Sequence, residues 1–128
     1  MSLIVENDGT ISLYQGDSGE IVISGLDSAK SYTVYFAVED LARNLIGKEI
    51  QVSISNSDTV TFVLTAEYTD LLKVPKGKPY EIYFYGIKAC ENNTINEDTL
   101  FVADTTYGDL NRIIVYPRKV RGNSNGTA

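Results

Sequence analysis

The sequence contains no histidine and no tryptophan, and Cys90 is its only cysteine. The absence of histidine excludes catalytic triads with a histidine base, the usual zinc ligand sets and the usual side-chain pH switch. A single cysteine excludes an intrachain disulfide and a thiolate metal cage. Carboxylates are the abundant catalytic residue type that remains. Their close pairs fall at predicted strand ends or turns, where solvated acids are ordinary, namely Asp17/Glu20, Glu39/Asp40 and Glu97/Asp98.

These absences predict a protein that is not an enzyme, with no catalytic, cofactor-binding or metal-binding residues. Basic residues are also scarce. The chain has 11 Lys and Arg and 17 Asp and Glu, which gives a net charge of −6. A nucleic-acid binder needs a surplus of cations to displace counterions from phosphates, so we predict no nucleic-acid partner.

Long hydrophobic runs are missing as well. No segment approaches the roughly 18–20 consecutive apolar residues that a membrane span requires, so we predict no membrane insertion. The first eight residues carry no cation and soon turn acidic, which is atypical of a signal peptide. We therefore expect a protein that is made in a cytoplasm and is kept there or assembled there into something larger.

The length of 128 residues predicts a single domain, since domains typically span about 100–200 residues. Residues 1–121 carry the patterned sequence and are predicted to form that domain. Residues 122–128 contain only Gly, Asn, Ser, Thr and Ala, without any pattern, and are predicted to be a flexible tail.

Alternation of apolar and polar residues with a period of two dominates the chain and predicts antiparallel strands. The predicted strands cover residues 10–14, 20–24, 32–38, 50–55, 59–64, 80–88, 99–103 and 112–116. Thr65 is a candidate cap for a short helix over 66–72, and Asn56–Asp58 is predicted to join two strands as a hairpin. This spacing predicts an all-β, immunoglobulin-like sandwich of roughly 7–9 antiparallel strands with at most one short helical turn.

The pattern K-x-Y-x-[VI]-Y-F occurs twice, at residues 30–36 and 78–84. These segments are the third and sixth predicted strands, which are antiparallel neighbours in an immunoglobulin-type sandwich. We predict that Tyr80 is a corner tyrosine whose hydroxyl bonds to the backbone within residues 72–77.

Both faces of the sixth predicted strand are apolar, so one face must be assigned to the core and the other to the surface. We predict that Val34, Phe36, Ile82 and Phe84 point into the core. The opposite face is predicted to be a surface through which the protein binds its partners, with Tyr35, Tyr83, Tyr85 and Ile87 as interface residues. Sugar stacking and ordinary surface tyrosines are the alternatives for these side chains.

The segments Ile11–Ser18 and Leu26–Val38 and the G-x-x-I stretch at residues 47–50 resemble a phage structural module. Together with Tyr80–Lys88 and residues 98–100, they are similar to the N-terminal immunoglobulin-like domain of baseplate upper proteins of tailed bacteriophages. This resemblance implies a non-enzymatic structural or adaptor component of a phage particle, located in the virion and assembled in the host bacterial cytoplasm. Other virion proteins are the implied partners, and a homo-oligomer or multimeric assembly is expected. A carbohydrate-binding β-sandwich module is the alternative, although the absence of Trp weighs against it.

Overall fold

The computed structural model describes residues 3–6, 8–100 and 111–119. Within these ranges the regular secondary structure is almost entirely β-strand, which confirms the predicted all-β sandwich. The strands and the one short helix are β1 (Ile4–Val5), β2 (Ile11–Tyr14), β3 (Gly19–Ile23), β4 (Ser31–Glu39), β5 (Ile50–Ser55), β6 (Val60–Leu64), α1 (Ala66–Thr69), β7 (Glu81–Glu91), β8 (Glu97–Leu100) and β9 (Arg112–Tyr116). The flexible tail predicted for residues 122–128 and the predicted strand residues 101–103 lie outside the described residues.

Two sheets enclose the core. The larger sheet has the order β1-β2-β9-β7-β4-β5, and β8 pairs with the second half of β7. Its strands are antiparallel except for β2 and β9, which run parallel. The smaller sheet consists of β3 and β6. The turn at residues 56–58 therefore carries the chain from one sheet to the other, and the hairpin predicted there is wrong.

The two strands that share the K-x-Y motif are antiparallel neighbours in the larger sheet, as predicted. Tyr32 lies opposite Glu91 at one end of the pair, and Glu39 lies opposite Phe84 at the other. The core face of β4 is also as predicted, because Val34 and Phe36 are completely buried, and Val38 on the same face is buried as well.

The predicted faces of β7 are reversed. Tyr83, Tyr85 and Ile87 are buried, with 6%, 6% and 2% of their surfaces exposed, whereas Ile82 and Phe84 are half-buried on the outer face. The pairing explains the reversal. Directly opposed residues lie on the same face, and Tyr85 and Ile87 lie opposite the core residues Val38 and Phe36.

Aromatic rings from both sheets meet in the centre of the core. The ring of Phe36 lies 5.5 Å from that of Phe62 on the smaller sheet and 5.6 Å from that of Tyr85 on β7. Such aromatic pairs contribute packing energy beyond the area that they bury. The core is therefore organised around Phe36 as its central residue.

Helix α1 is held by polar contacts at both ends. Thr65 accepts a hydrogen bond from the Tyr68 amide at 3.1 Å, which confirms the predicted cap. The completely buried Thr69 hydroxyl accepts from the Gly16 amide at 3.0 Å and donates to the Asp17 carbonyl at 2.8 Å. These two bonds tie the helix to the turn between β2 and β3.

Candidate protein-binding edge and outer face

The acidic pairs singled out in the sequence do not gather into a metal-ligand cluster in the part of the chain that the structure describes. No group of three or more His, Cys, Asp or Glu side chains gathers there in a way that could hold a metal ion. Glu39 instead pairs with Arg43 at 3.5 Å, and Glu97 pairs with Lys88 at 2.8 Å. In the same described ranges, we find no helix with the length and apolarity needed to cross a membrane.

The outer face of the larger sheet contains a groove of about 870 Å³. Ala37 and Gly86 are directly opposed in the centre of its lining, and a Cβ added to Gly86 would have no atom within 4 Å. Tyr35 and Phe84 are the aromatic residues beside them on the outer face. The groove exists because two small residues face each other between larger side chains.

The structure places one of the four predicted interface residues on this outer face. Tyr35 is half-buried there, and its role as an interface residue stays a prediction. Tyr83, Tyr85 and Ile87 send their side chains into the core and are therefore removed from the predicted interface. The physical reason is that both tyrosine hydroxyls find backbone acceptors when buried, so burying them leaves no unpaired polar group.

Other aromatic residues on this face were missed in the sequence. The ring of Tyr116 lies 5.4 Å from that of Tyr14 and 6.3 Å from that of Tyr80, which is 42% exposed. Tyr14 and Tyr116 are brought together by the parallel pairing of β2 with β9. Period-two alternation in each strand predicts that these tyrosines lie on the face away from the buried residues. It does not predict which strands become neighbours in the sheet.

Strand β5 forms an open edge of the larger sheet. Among the described residues it pairs with β4 alone, so the backbone groups on its other side have no strand partner. Its six residues, Ile-Gln-Val-Ser-Ile-Ser, include no charged residue and no proline. Proteins commonly use charged residues, prolines or bulges on an edge strand to prevent a further strand from pairing with it. Strand β5 has neither charged residues nor prolines.

The other strands at sheet boundaries differ from β5. β1 has only two residues, β8 carries the exposed Glu97 and Asp98, and β3 carries Glu20. β6 is also uncharged, but its inward side chains are already 0–1% exposed. In contrast, the inward residues of β5 are only half-buried, namely Ile50, Val52 and Ile54. An added strand would therefore bury further apolar surface at β5 but little at β6.

Three tyrosine hydroxyls are perturbed by their surroundings. Burial raises the pKa of Tyr85 to about 12, with a smaller contribution from the charge of Asp8, and burial raises the pKa of Tyr68 to about 12. Burial also raises the pKa of Tyr83, and the charges of Glu81 and Asp40 act in the same direction. All three phenols therefore stay protonated at neutral pH and act as donors or packing groups rather than as bases.

Comparison with known proteins gives a structural likeness alone. No family model and no curated protein matches the sequence. Among solved structures, the chain is similar to the periplasmic chaperone SfaE, with a TM-score of 0.58 and 10% sequence identity. The match covers 89% of this chain and 56% of the chaperone chain, so this chain spans little more than half of that structure's length.

This likeness supports the immunoglobulin-like sandwich and corrects the predicted function. The similar protein is a periplasmic chaperone, which is not a component of a phage virion, so the prediction of a structural component of a tailed-phage particle is wrong. The loose motifs behind that prediction have a structural explanation. Gly16 and Asp17 of the Gln-Gly-Asp segment hold α1 through Thr69, and Gln15 donates to the Asp70 carbonyl at 3.0 Å.

Proposed function

We propose that this chain is a non-catalytic protein-binding module that recognises an extended polypeptide by adding it as a strand along the open edge of β5. The observation that carries the proposal is the uncharged, proline-free edge, which pairs with β4 alone among the described residues. Unpaired backbone donors and acceptors at such an edge can form a ladder with an incoming strand.

The side chains of β5 favour a polypeptide with a particular pattern. An incoming strand would place alternate residues beside the half-buried Ile50, Val52 and Ile54, and the residues between them beside the exposed Gln51, Ser53 and Ser55. The preferred segment therefore alternates β-branched apolar residues with small polar residues. The backbone ladder supplies affinity for any extended chain, and the alternation supplies the selectivity.

Peptide binding tests this function. The probes are fluorescent ten-residue peptides that alternate Val or Ile with Ser or Thr, and their matched controls carry N-methyl groups on all the central amides, so that neither edge of the control strand can donate. We expect saturable binding in fluorescence anisotropy that the N-methyl groups abolish, because they remove the ladder donors. The protein is kept at the lowest concentration that the signal permits, so that self-association does not compete.

A pair of protein variants locates the binding edge. Val52→Lys places a charge on the inward side of β5 and should abolish peptide binding, because inward charges guard edges. Val63→Lys adds the same charge at a 52%-exposed position of β6 and should leave binding unchanged. Equal binding of methylated and unmethylated peptides, or equal binding by the two variants, would refute strand addition at β5.

A further inference from the structure

Strand β5 is complementary to itself when two copies run antiparallel. Directly opposed residues of an antiparallel pair lie on the same face of the sheet. A two-fold axis that keeps the core faces of both copies on the same side must therefore place one residue of β5 directly opposite the same residue of the second copy. With Val52 at the axis, Val52 faces its own copy, and each Ile50 faces Ile54 on the inner face. On the outer face, each Gln51 faces Ser53.

We propose, resting on the function proposed above, that the strand accepted at β5 is β5 of a second copy of this chain. Two sandwiches would then share one continuous sheet, in which each copy covers the half-buried apolar residues of the other. A closed two-fold interface uses the same patch on both chains, as this arrangement does.

The charge distribution is compatible with a second copy at this edge, although each chain has a net charge of −6. Since β5 carries no charge, no like charges meet inside the ladder. Beyond its ends, Glu49 would lie opposite Ser55, and Lys48 would lie opposite Asn56. The pairing therefore places no carboxylate opposite another carboxylate.

The pairing register follows from the apolar residues. A shift of two residues would place Ser53 at the axis and leave Ile50 opposite the polar Asn56. That shift reduces the apolar pairs on the inner face from the three described above to two Val52–Ile54 pairs. The register with Val52 at the axis therefore buries more apolar surface. A single strand pair is a small interface, so the dimer should be weak and should depend on concentration.

Charges introduced at the axis test the dimer. Light scattering across a concentration series of the unmodified chain should show a mass that rises from one copy to two. Val52→Lys and Val52→Glu should each remain monomeric at every concentration, because like charges would face each other across the axis. Mixing the two variants should restore a dimer, which also shows that both variants fold.

Cysteine pairs test the register in a Cys90→Ser background. At the axis, the Cα atoms of Val52→Cys copies would lie about 4.5–5.5 Å apart, within the range that a disulfide can bridge. Two Ser53→Cys residues would be diagonal neighbours about 7–8 Å apart, beyond that range. Mild oxidation should therefore cross-link the Val52→Cys variant rapidly and leave the Ser53→Cys variant largely monomeric.

The outcomes separate this inference from the proposed function. A chain that stays monomeric at every concentration, or a Val52→Lys and Val52→Glu mixture that does not pair, overturns the dimer. Preferential cross-linking of Ser53→Cys overturns the dimer with Val52 at its axis. If the chain is monomeric but still binds unmethylated peptides at β5, the proposed function stands and its partner is a different polypeptide. If neither peptides nor a second copy bind at β5, both proposals fail.

Discussion

The Tyr83 hydroxyl donates a hydrogen bond to the backbone carbonyl of Lys73, with 2.6 Å between the two oxygens. This bond anchors the loop that follows α1 onto β7. The sequence predicted such a corner bond within residues 72–77 but assigned it to Tyr80. Tyr80 lies before the strand, is 42% exposed and packs its ring near Tyr116. The corner therefore belongs to Tyr83, because that residue occupies the core-facing side of β7.

Removing the corner bond should destabilise the fold. We expect Tyr83→Phe to lower the free energy of unfolding by about 1–2 kcal/mol, because the partly buried Lys73 carbonyl loses its donor. Chemical denaturation followed by circular dichroism measures the change. Tyr80→Phe is the matched control, and its effect should stay within about 0.5 kcal/mol. An equal loss for both variants would contradict the assignment of the corner to Tyr83.

Tyr68 presents the opposite case, because its buried hydroxyl has no hydrogen-bond partner among the described residues. Tyr68→Phe should leave the free energy of unfolding unchanged or raise it by up to about 1 kcal/mol, since it removes an unsatisfied buried group. The same denaturation series measures this difference. A loss of stability as large as that of Tyr83→Phe would show that the hydroxyl has a partner in solution.

Alkaline pH should destabilise the protein through its buried tyrosines. The pKa values of Tyr68 and Tyr85 are about 12 in the folded chain and about 10 when unfolded. A raised folded pKa means that the stabilising contribution is complete below pH 10 and is lost as the pH rises from about 10 to 12. Thermal unfolding midpoints should therefore fall across that window. Tyr68→Phe should show a shallower fall, and an identical slope would argue against burial of this phenol.

The buried Thr69 hydroxyl should be needed to hold α1 against the turn between β2 and β3. We expect Thr69→Val, which keeps the shape, to cost about 1–3 kcal/mol, because the Gly16 amide and the Asp17 carbonyl lose this partner. Thr69→Ser keeps the hydroxyl and serves as the control. Denaturant midpoints that fall equally for both substitutions would indicate that the methyl group matters rather than the two hydrogen bonds.

Truncation of two phenylalanines should report the corrected faces of the central strands. Phe36 is completely buried between Phe62 and Tyr85, so Phe36→Ala should cost about 3–5 kcal/mol. Phe84 is half-buried on the outer face, and Phe84→Ala should cost less than about 2 kcal/mol. Equal losses in denaturation experiments would restore the face assignment made from the sequence.

The sequence by itself determined the class of the fold and much of its local structure. Alternation located eight of the strands, and the side-chain oxygen of Thr65 marked the start of the helix. The order of the strands in an immunoglobulin-type sandwich identified β4 and β7 as neighbours. These features depend on nearby residues or on a general rule of the sandwich. The same reasoning recognised that the outer face would carry aromatic residues and included Tyr35 among them.

Only the tertiary structure decided which face of β7 is buried, since residues 82–85 are apolar or aromatic on both faces and a phenol can be buried wherever it finds an acceptor. It also decided that β5 and β6 belong to different sheets and that β2 runs parallel to β9, because a turn sequence does not specify which sheet the next strand joins. The open edge of β5 follows from those choices. An edge is defined by the strand that is absent beside it, and no local pattern in the chain encodes that relationship.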